Sequence, residues 1–532
     1  LRTYTQEDQQ KVDAIRKWIE ENTSAEKAAE VNRFLRTLEP KYHPHDFDDF
    51  VNAELIDTKM LGVRAGGRAR LKNINLENKK YLLINYACWN EGGTLQVRTD
   101  RPDGKVIGSI PLKTTKGYKA ISIDLAPTTG KHDLYFLLDN KSLRGTNQPV
   151  SSIEWFAFRE ALPTPSLDKS FLELVNSKVE NTPIMIENNE EQKRKTTVFE
   201  RGNWLVKGAE VDPGTPAILN HFPENQPLNR LGFARWLTSK DNPLTARTIV
   251  NRVWEQIFGN GIVITLEDFG SQGEAPSHPE LLDWLSIQMM EEYNWSIKEL
   301  VKKIVMSSTY RQDSHVSPEQ LEKDPFNRLL GRGARVRLSA EQVRDQALQV
   351  SGLLSDKMYG PGVMPYQPSG IWNSVWSGAY WKKSAGEDQY RRSIYTFHKR
   401  TSPYPSMMLF DGSSREVCLS RRIRTNTPLQ ALVTLNDSVF VEASAQLAKK
   451  ISKRENAKEQ IRDGYRTILF KDISEDKLAV LHDFYEEALA TYRKNPTAVA
   501  QLTKDSAATP HYAAMIVVAN AMLNLDEVIM KE

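Results

Sequence analysis

The hydrophobic residues of this chain repeat with two different periods, and the change of period divides the sequence. Between residues 46 and 160 apolar and polar residues alternate in short runs, as in strands with one buried face. From Asn229 onward apolar residues recur every three or four positions, which is the period of a helix packed on a core. A chain of 532 residues is also too long for one hydrophobic core. The sequence therefore predicts a multidomain protein, with an all-β part ahead of a larger, mainly α-helical part.

The alternating part predicts an antiparallel β-sandwich over residues 46–160. Its candidate strands are short and are separated by turn signals such as Ala65-Gly66-Gly67, Glu91-Gly92-Gly93 and Pro102-Asp103-Gly104. Regularly spaced strands with such turns are typical of sandwich folds. The strands are expected at residues 50–56, 69–74, 81–88, 94–100, 106–112, 119–125, 132–138 and 153–158.

The remaining segments predict three further parts. Residues 1–45 contain two helical patterns and are interpreted as the helical end of an upstream domain. Residues 161–228, which include a short helix at 167–179, are rich in proline and glycine and predict a connector and an extended strap. Residues 229–532 predict the helical domain. Its helices are expected at 231–238, 245–258, 278–293, 296–307, 339–351, 427–451, 456–470, 474–495 and 510–525.

Composition excludes several classes of function. The net charge of +3 is small for this length, so nucleic-acid binding is not expected. No apolar run approaches the roughly 20 residues that a membrane span needs. The CxxCH motif does not occur, which excludes covalent c-type haem within these residues. The HExxH, GxSxG and Walker A motifs, which are signatures of zinc metalloproteases, serine hydrolases and P-loop nucleotide-binding proteins, do not occur either. The sequence begins at Leu1 without a signal-peptide pattern, and we interpret it as part of a longer precursor.

A glycine-rich loop that leads into the helix predicted from residue 278 is the first candidate for chemistry. Asp268, Glu274, His278 and Asp283 lie within it. At a helix start the dipole favours a neutral imidazole, so His278 could act as a base or a ligand, with Glu274 or Asp268 as carboxylate partner. Neither HxH nor HxxxH occurs in the loop. The alternative is a histidine N-cap in a hydrogen-bonded loop.

The second candidate is the basic stretch at 391–437. Arg400, Arg421 and Arg422, together with Arg415, could bind a sulfate, a carboxylate or a uronate of an acidic glycan. Asp411 and Glu416 could be an acid–base pair beside Arg415. The alternative is a structural network in which these arginines pair with carboxylates and hold helices together.

Two smaller features within the helical region also have alternative interpretations. Cys418 could be a nucleophile near His398, although a buried small residue is the commoner fate of a lone cysteine. An aromatic segment could stack on sugar rings or hold a long loop on the helical body. Its residues are Trp372, Asn373, Trp376, Tyr380 and Trp381.

The β-rich segment resembles family 6-type carbohydrate-binding modules, which are jelly-roll sandwiches. The resemblance lies in VNAEL near its start, GKHDLYFLLDN near its end and SIEWFAF as the last strand. It implies a structural calcium ion held by residues at the positions of Asn52, Glu54 and Glu154. Asn52 stands where the family has a carboxylate, which lowers the charge at that site.

Sugar binding on such modules needs exposed aromatic side chains, with amides and acids to bond the hydroxyl groups. Trp89 fits this need because it lies beside Asn90, Glu91 and two glycines in an expected loop. Asn140 is the expected polar partner. A tryptophan in the core of the sandwich is the alternative.

The helical region resembles the C-terminal domain of unknown function of planctomycete-type cytochrome c multidomain proteins, which also occur in Bacteroidetes and Verrucomicrobia. The matching motifs are RGNW, ARTIVNRVWEQIFGNGIV, DFGSQGEAPSHPELLDWL, IVMSSTYRQ, RLSAEQVRDQAL, RRIRTNTPLQALVTLND and ANAMLNLDEVI. The resemblance implies a signal peptide, a location in the periplasm or at the cell surface, and association with polysaccharide use. It also implies that any haem lies upstream of these residues.

Two hypotheses about function follow. In the first, the protein binds a polysaccharide or oligosaccharide through the sandwich, and the helical domain serves in assembly with protein partners. In the second, it is an enzyme acting on polysaccharides with a cleft between 268–283 and 391–437, and it could be redox-coupled to an upstream haem domain.

Overall fold

The computed structural model describes residues 1–188, 193, 195–203, 206–371 and 380–531 of the chain. The fold divides into two units, Leu1–Asp212 and Pro213–Glu532. Trp372, Asn373 and Trp376 of the aromatic segment, and Trp204 of the RGNW motif, lie outside the described residues.

The first unit contains a large β-structure and three helices. The helices are α1 (Gln6–Asn22), α2 (Ala25–Thr37) and α3 (Pro165–Asn176). The strands are β1 (Arg2–Thr3), β2 (Phe47–Ile56), β3 (Met60–Asn75), β4 (Tyr81–Ala87), β5 (Gly93–Thr99), β6 (Val106–Leu112), β7 (Lys119–Asp124), β8 (Lys131–Asp139), β9 (Pro149–Arg159), β10 (Glu180–Asn181), β11 (Thr197–Phe199) and β12 (Lys207–Glu210).

The long strand β3 belongs to both layers of the predicted sandwich, and this confirms the predicted fold class. The strand order is β6-β5-β8-β3-β9-β4-β7, with β2 paired along β3, and all these pairs are antiparallel. The second part of β3, from Gly67 to Asn75, pairs with β8, whereas Leu61 to Arg64 pairs with β9. Phe47, Phe136 and Phe156 meet in the core between the layers, with ring centroids 4.6–5.2 Å apart.

Two glycines allow β3 to pass from one layer to the other. Gly66 has a φ of +74°, in the left-handed region that favours glycine. At Gly67, a Cβ atom would lie only 2.5 Å from the carbonyl oxygen of Asn52 and 2.9 Å from that of Val51. Both oxygens belong to the backbone of β2, so they have little freedom to move away. The bend in β3 therefore requires a residue without a side chain at position 67.

Replacing Gly67 with alanine tests this requirement. We expect Gly67→Ala to lower the free energy of unfolding of the first unit by about 2 kcal/mol or more, because the methyl group overlaps backbone oxygens. Thermal unfolding of the full chain in a calorimeter would measure it. Gly331→Ala is the control, since a Cβ there meets no atom within 4 Å. Equal melting of Gly67→Ala and wild type would contradict this explanation of the bend.

The helices of the first unit pack on the outer face of the sandwich. Leu83 on β4, Ala120 on β7 and Trp155 on β9 share a buried cluster with apolar side chains of α1, α2 and α3. The side-chain amide of Asn176, at the end of α3, donates to the carbonyl oxygen of Ala120 and accepts from its N–H, both at 2.9 Å.

The predicted domain boundaries at 45 and 160 therefore fall inside one unit. The sandwich, α1, α2 and α3 share apolar contacts across both positions. The boundary between the two units falls at Asp212, within the segment that we predicted to be a connector and strap.

The second unit is helical, as predicted. Its elements are α4 (Arg230–Leu237), α5 (Thr245–Phe258), α6 (Pro279–Glu291), α7 (Ile297–Val305), α8 (Pro318–Lys323), α9 (Ala340–Ser351), α10 (Pro405–Leu409), α11 (Pro428–Asn436), α12 (Ser438–Ile451), α13 (Ala457–Leu469), α14 (Glu475–Lys494), α15 (Pro496–Thr503), α16 (Pro510–Leu523) and α17 (Asp526–Ile529), with short strands β13 (Val336–Arg337) and β14 (Met530–Lys531). One core lies between α5, α6 and α7. A larger core surrounds α16, which is buried on nearly all sides.

The helix predicted over 427–451 is wrong in one respect, because Asp437 interrupts it. This residue has extended backbone angles, and its carboxylate accepts from the N–H of Val439 at 2.9 Å and from the hydroxyl of Ser406 at 2.8 Å. It ends α11 and caps α12 in the manner of an N-cap aspartate.

Among the residues that the structure describes, no helix has the length and apolar character of a bilayer span.

Candidate functional site

Trp89 lies in the loop that follows β4, and 58% of it is exposed. The residue before it, Cys88, is buried and holds this loop in place. Its thiol lies 3.2 Å from the carbonyl oxygens of both Asn90 and Val150. Its backbone is also bonded to Thr115, N–H to Oγ1 at 3.0 Å and carbonyl to N–H at 2.8 Å. Trp89 is therefore a surface residue of a fixed loop, not a core residue.

Asn140 supports this loop from its buried side. It is only 2% exposed, and its Nδ2 donates to the carbonyl oxygen of Glu91 at 2.8 Å. Its Oδ1 accepts from the N–H and the hydroxyl of Ser142, at 3.0 and 2.7 Å. A direct contact between Asn140 and sugar stays a prediction, while its bonds in the structure shape the loop that carries Trp89, Asn90 and Glu91.

Tyr118 is an exposed aromatic residue of this region that sequence reasoning missed. It is 42% exposed, and its hydroxyl lies 2.9 Å from that of Ser152 on β9. Ser152 is the register partner of Ala87, the last residue of β4, so Tyr118 stands beside the strand end that precedes Trp89. Gly117, with a φ of +144°, marks the turn before β7 and was the available signal.

The three residues implied to hold calcium already have protein partners. Asn52 donates from Nδ2 to the carbonyl oxygen of Ala65 at 3.0 Å. The carboxylate of Glu54 pairs with Arg64, and that of Glu154 accepts from Asn85 at 2.6 Å. Across the described ranges, no group of three or more His, Cys, Asp or Glu residues could hold a metal ion. A calcium ion would have to displace Arg64 and Asn85, and its binding stays a prediction.

In the second unit, the carboxylates of the 268–283 loop are occupied by partners within the protein. Asp268 accepts from the N–H of Gly270 at 2.6 Å, which fixes the turn. Glu274 pairs with Arg328 at 3.0 Å, and Asp283 pairs with Arg247 at 2.7 Å.

His278 is the N-cap residue of α6, although its side chain makes no capping bond. Its Nδ1 lies 3.0 Å from the hydroxyl of Ser277. Together with the paired carboxylates, this arrangement matches the hydrogen-bonded loop that was the alternative interpretation.

Two buried arginines, one in the basic stretch and one on α9, donate hydrogen bonds to backbone carbonyl oxygens. Arg391 is 1% exposed, donates to the carbonyl oxygens of Lys357, Tyr359 and Pro361, and stacks on Tyr395 with its Cζ 3.8 Å from the ring centroid.

The second of these is Arg344, on α9, which donates to the carbonyl oxygens of Gln389 and Arg391. Burial lowers the pKa of Arg344 from its ordinary value. These two arginines are structural, but their acceptors are backbone carbonyl oxygens and not the carboxylates that the alternative interpretation named.

Trp381 has a similar bracing role in the described part of the aromatic segment. Its Nε1 donates to the carbonyl oxygen of Pro365 at 2.8 Å, and its ring stacks on Tyr404 with centroids 5.7 Å apart. Tyr380, next to it, is 86% exposed.

A cavity of about 1210 Å³ lies between α9 and the segment from Phe410 to Arg424. Of the candidate residues, Asp411, Arg415, Arg421 and Arg422 line it. Asp268, Glu274, His278 and Arg400 are not among the described residues of its lining. The structure thus does not bring the 268–283 loop and the basic stretch together around this cavity.

Most charged groups of the lining are paired. Arg422 makes two bonds to the carboxylate of Glu341, at 2.7 and 3.0 Å. Burial raises the pKa of Glu341 and the bonds from Arg422 lower it, and the result lies below the ordinary value. Asp411 accepts from the N–H and the hydroxyl of Thr425, at 2.8 and 2.9 Å. Asp411 thus holds the loop at Thr425 in place through these hydrogen bonds.

The polar face of α9 is the largest contribution that sequence reasoning missed. The cavity is lined by the polar residues Glu341, Gln342, Asp345, Gln346 and Gln349, whereas Val343, Ala347 and Val350 face the core.

Cys418, which the sequence offered as a nucleophile, is exposed. His398 lies with its Nε2 3.0 Å from the carbonyl oxygen of Ser414.

Comparison with known families assigns both parts of the chain. The model described as carbohydrate binding module (family 6) matches residues 53–160, and the model described as protein of unknown function (DUF1553) matches residues 229–485. The chain joins a family 6 carbohydrate-binding module to a DUF1553 domain. This confirms both resemblances found in the sequence. No curated protein matches the chain.

Several solved family 6 modules are similar to the sandwich. A module from Clostridium stercorarium, solved with cellobiose, is 21% identical and covers 23% of this chain and 94% of its own, with a TM-score of 0.20. A β-1,3-glucan-binding module from Bacillus halodurans is 17% identical, with coverages of 23% and 95% and a TM-score of 0.20. A module from Clostridium cellulolyticum, solved with xylose, is 20% identical, with coverages of 23% and 97% and a TM-score of 0.21.

The buried guanidinium of Arg391 gives a prediction about the DUF1553 domain. We expect Arg391→Lys to lower the free energy of unfolding by about 3 kcal/mol, because one ammonium group cannot reach three carbonyl oxygens or stack on Tyr395. Urea unfolding of the full chain would measure the loss. Arg400→Lys is the matched control, since Arg400 is exposed and should change stability by less than about 0.5 kcal/mol. A tolerated Arg391→Lys would show that position 391 needs only a positive charge.

Proposed function

We propose that this protein binds polysaccharide outside the cytoplasm through its family 6 module, at a site that includes Trp89 and Tyr118. The observation that carries the proposal is the pair of exposed aromatic side chains beside one end of β4. Sugar rings present apolar C–H faces that pack well on exposed aromatic rings.

The fixed backbone around Trp89 supports the proposal. Cys88, Thr115 and Asn140 hold the loop by bonds to its backbone on both sides of the indole. A binding loop that is already ordered loses less conformational entropy when the ligand arrives. Asn90 and Glu91 follow Trp89 directly and offer polar groups for sugar hydroxyls.

Truncation of the indole tests this site. We expect Trp89→Ala to weaken retention of the full chain in gels containing a glucan or a xylan by at least about tenfold, or about 1.4 kcal/mol. Trp284→Ala is the matched control, because Trp284 is a comparably exposed tryptophan, at 44%, in the DUF1553 domain. Retention of Trp89→Ala equal to that of wild type would remove Trp89 from the site.

Calcium at Asn52, Glu54 and Glu154 remains a proposal that rests on the family resemblance. If calcium replaces Arg64 and Asn85 as the partner of the two carboxylates, added Ca²⁺ should raise the melting temperature of the first unit. The increase should disappear with Glu54→Gln. A melting temperature that is the same in Ca²⁺ and in a chelator would contradict the proposal.

We further propose that the DUF1553 domain serves in assembly, and α11 is the observation that favours this role. Its buried residues are the polar Gln430 and Thr434, whereas Leu429, Leu432 and Leu435 are 43–54% exposed. No residue of α11 carries a charge. An uncharged apolar face is compatible with its own image across a two-fold axis, so a second copy of this chain is the simplest occupant.

Sedimentation analysis tests this assembly role. We expect wild type to associate with rising concentration, and Leu432→Glu to remain monomeric because two like charges would meet at the two-fold axis. Val480→Glu, on the exposed side of α14 with 68% exposure, is the control. Wild type that stays monomeric at high concentration would rule out a second copy as the occupant.

An enzyme that acts on polysaccharides is the second candidate function. The cavity of the DUF1553 domain favours it, because it is large enough for a substrate and rich in groups that bond hydroxyls. Redox coupling to an upstream haem domain, and a location in the periplasm or at the cell surface, are parts of this proposal that rest on family resemblance. Release of reducing sugar ends from polysaccharide by the purified chain would support an enzyme. If no reducing ends are released even when oxidants and haem partners are supplied, the enzyme proposal is contradicted.

A further inference from the structure

We propose that the cavity between α9 and the segment from Phe410 to Arg424 binds an anionic sugar chain, with Arg415 contacting its carboxylate or sulfate group. The proposal rests on the proposed function for the identity of the ligand as a glycan. It goes further by assigning a second, charge-selective site to the DUF1553 domain.

The size of the cavity favours an extended ligand. Its volume of about 1210 Å³ exceeds the roughly 300–1,000 Å³ of most small-molecule pockets. Most residues of the lining carry an arginine, carboxylate, amide or hydroxyl group, and apolar atoms between these groups contribute surface as well. A ligand that carries many hydroxyl groups along its length fits such a lining.

The charged groups of the lining are mostly paired, so it is Arg415, and not a net positive charge, that could attract an anion. Among the described residues that line the cavity there are six arginines and four carboxylates. Arg422 pairs with Glu341 inside it, and Arg424 pairs with the buried Glu255 at 3.2 Å. Arg392 lies 3.7 Å from Asp345, and Arg421 lies 3.6 Å from Glu267. Arg337 donates to Gln430, which bears no charge.

Arg415 is the arginine of this lining whose guanidinium has no hydrogen bond or ion pair to any described residue. Its backbone has a φ of +58°, and its N–H donates to the hydroxyl of Ser413 at 3.1 Å. The side chain lines this cavity and also a smaller adjoining one near His398. A free guanidinium offers a planar set of donors that matches a carboxylate or a sulfate with two parallel bonds.

Helix α9 supplies groups for the uncharged part of the ligand. The side-chain amides of Gln346 and Gln349 line the cavity and have no hydrogen-bond partner among the described residues. Gln342, one turn earlier, is engaged in the capping box with Ser339. An amide both donates and accepts, which suits hydroxyl groups that do the same. Within the described part of the chain, the cavity thus combines a guanidinium and amides that have no bonded partner, as an acidic sugar chain requires.

Calorimetric titration of the full chain carrying Trp89→Ala tests the proposal without a contribution from the sandwich site. The probes are a galacturonate oligosaccharide, a sulfated galactose oligosaccharide and a neutral cello-oligosaccharide of equal length. We expect binding of at least one anionic probe, weakening with added salt, and no binding of the neutral one. Which anionic probe binds identifies the acidic group as carboxylate or sulfate.

Variants in the same background locate the contact. We expect Arg415→Ala to weaken binding of the anionic probe at least tenfold, and Gln346→Ala to weaken it less. Arg400→Ala is the control, because Arg400 is an exposed arginine of the same stretch that does not line the cavity. No binding of either anionic probe, or unchanged binding of the anionic probe by Arg415→Ala with an unchanged melting temperature, would overturn the proposal. Failure of the Trp89 site would appear separately, as retention of neutral glycan by Trp89→Ala.

Discussion

The passage of β3 between two layers is the constraint on which the first unit depends. One continuous strand supplies the centre of both sheets, so the layers are joined by backbone hydrogen bonds as well as by side-chain packing. The bend needs a glycine at position 67 because two carbonyl oxygens of β2 occupy the space of a side chain. The end of β4 and the loop of Trp89 are then positioned by pairing with β9, which pairs in turn with β3.

The same glycines explain what could and could not be predicted from the sequence. Alternation located the other strands, but Gly66 and Gly67 were interpreted as a turn, and residues 60–68 of β3 were missed. A glycine pair is typical of a tight turn and of a bent strand alike, and only the partner strands distinguish the two. The helices were located by period and caps, whereas the break at Asp437 depends on a hydroxyl of Ser406, far away in sequence.

Residue type alone also could not separate the bracing arginines from the free one. Arg391 and Arg344 donate to backbone carbonyl oxygens, which leave no trace in the sequence. Arg415 is exposed instead, and its guanidinium has no such partner among the residues that the structure describes. Likewise, a polar helix face on α9 that lines a cavity has the same spacing as one that faces water. Long-range placement, and not local pattern, decides which of these residues can meet a ligand.

The double burial of β4 makes the carbohydrate-binding module of this chain inseparable from its neighbours. Leu82 and Ile84 point into the sandwich core, and Leu83 between them points into the helical layer. Excision at the sequence boundaries of the module would expose Leu83, Ala120, Trp155 and Ala157 as one apolar patch. Modules of this type are often treated as independent domains that can be exchanged between proteins. In this protein the module shares a second hydrophobic core with α1, α2 and α3, so it can be exchanged only together with these helices.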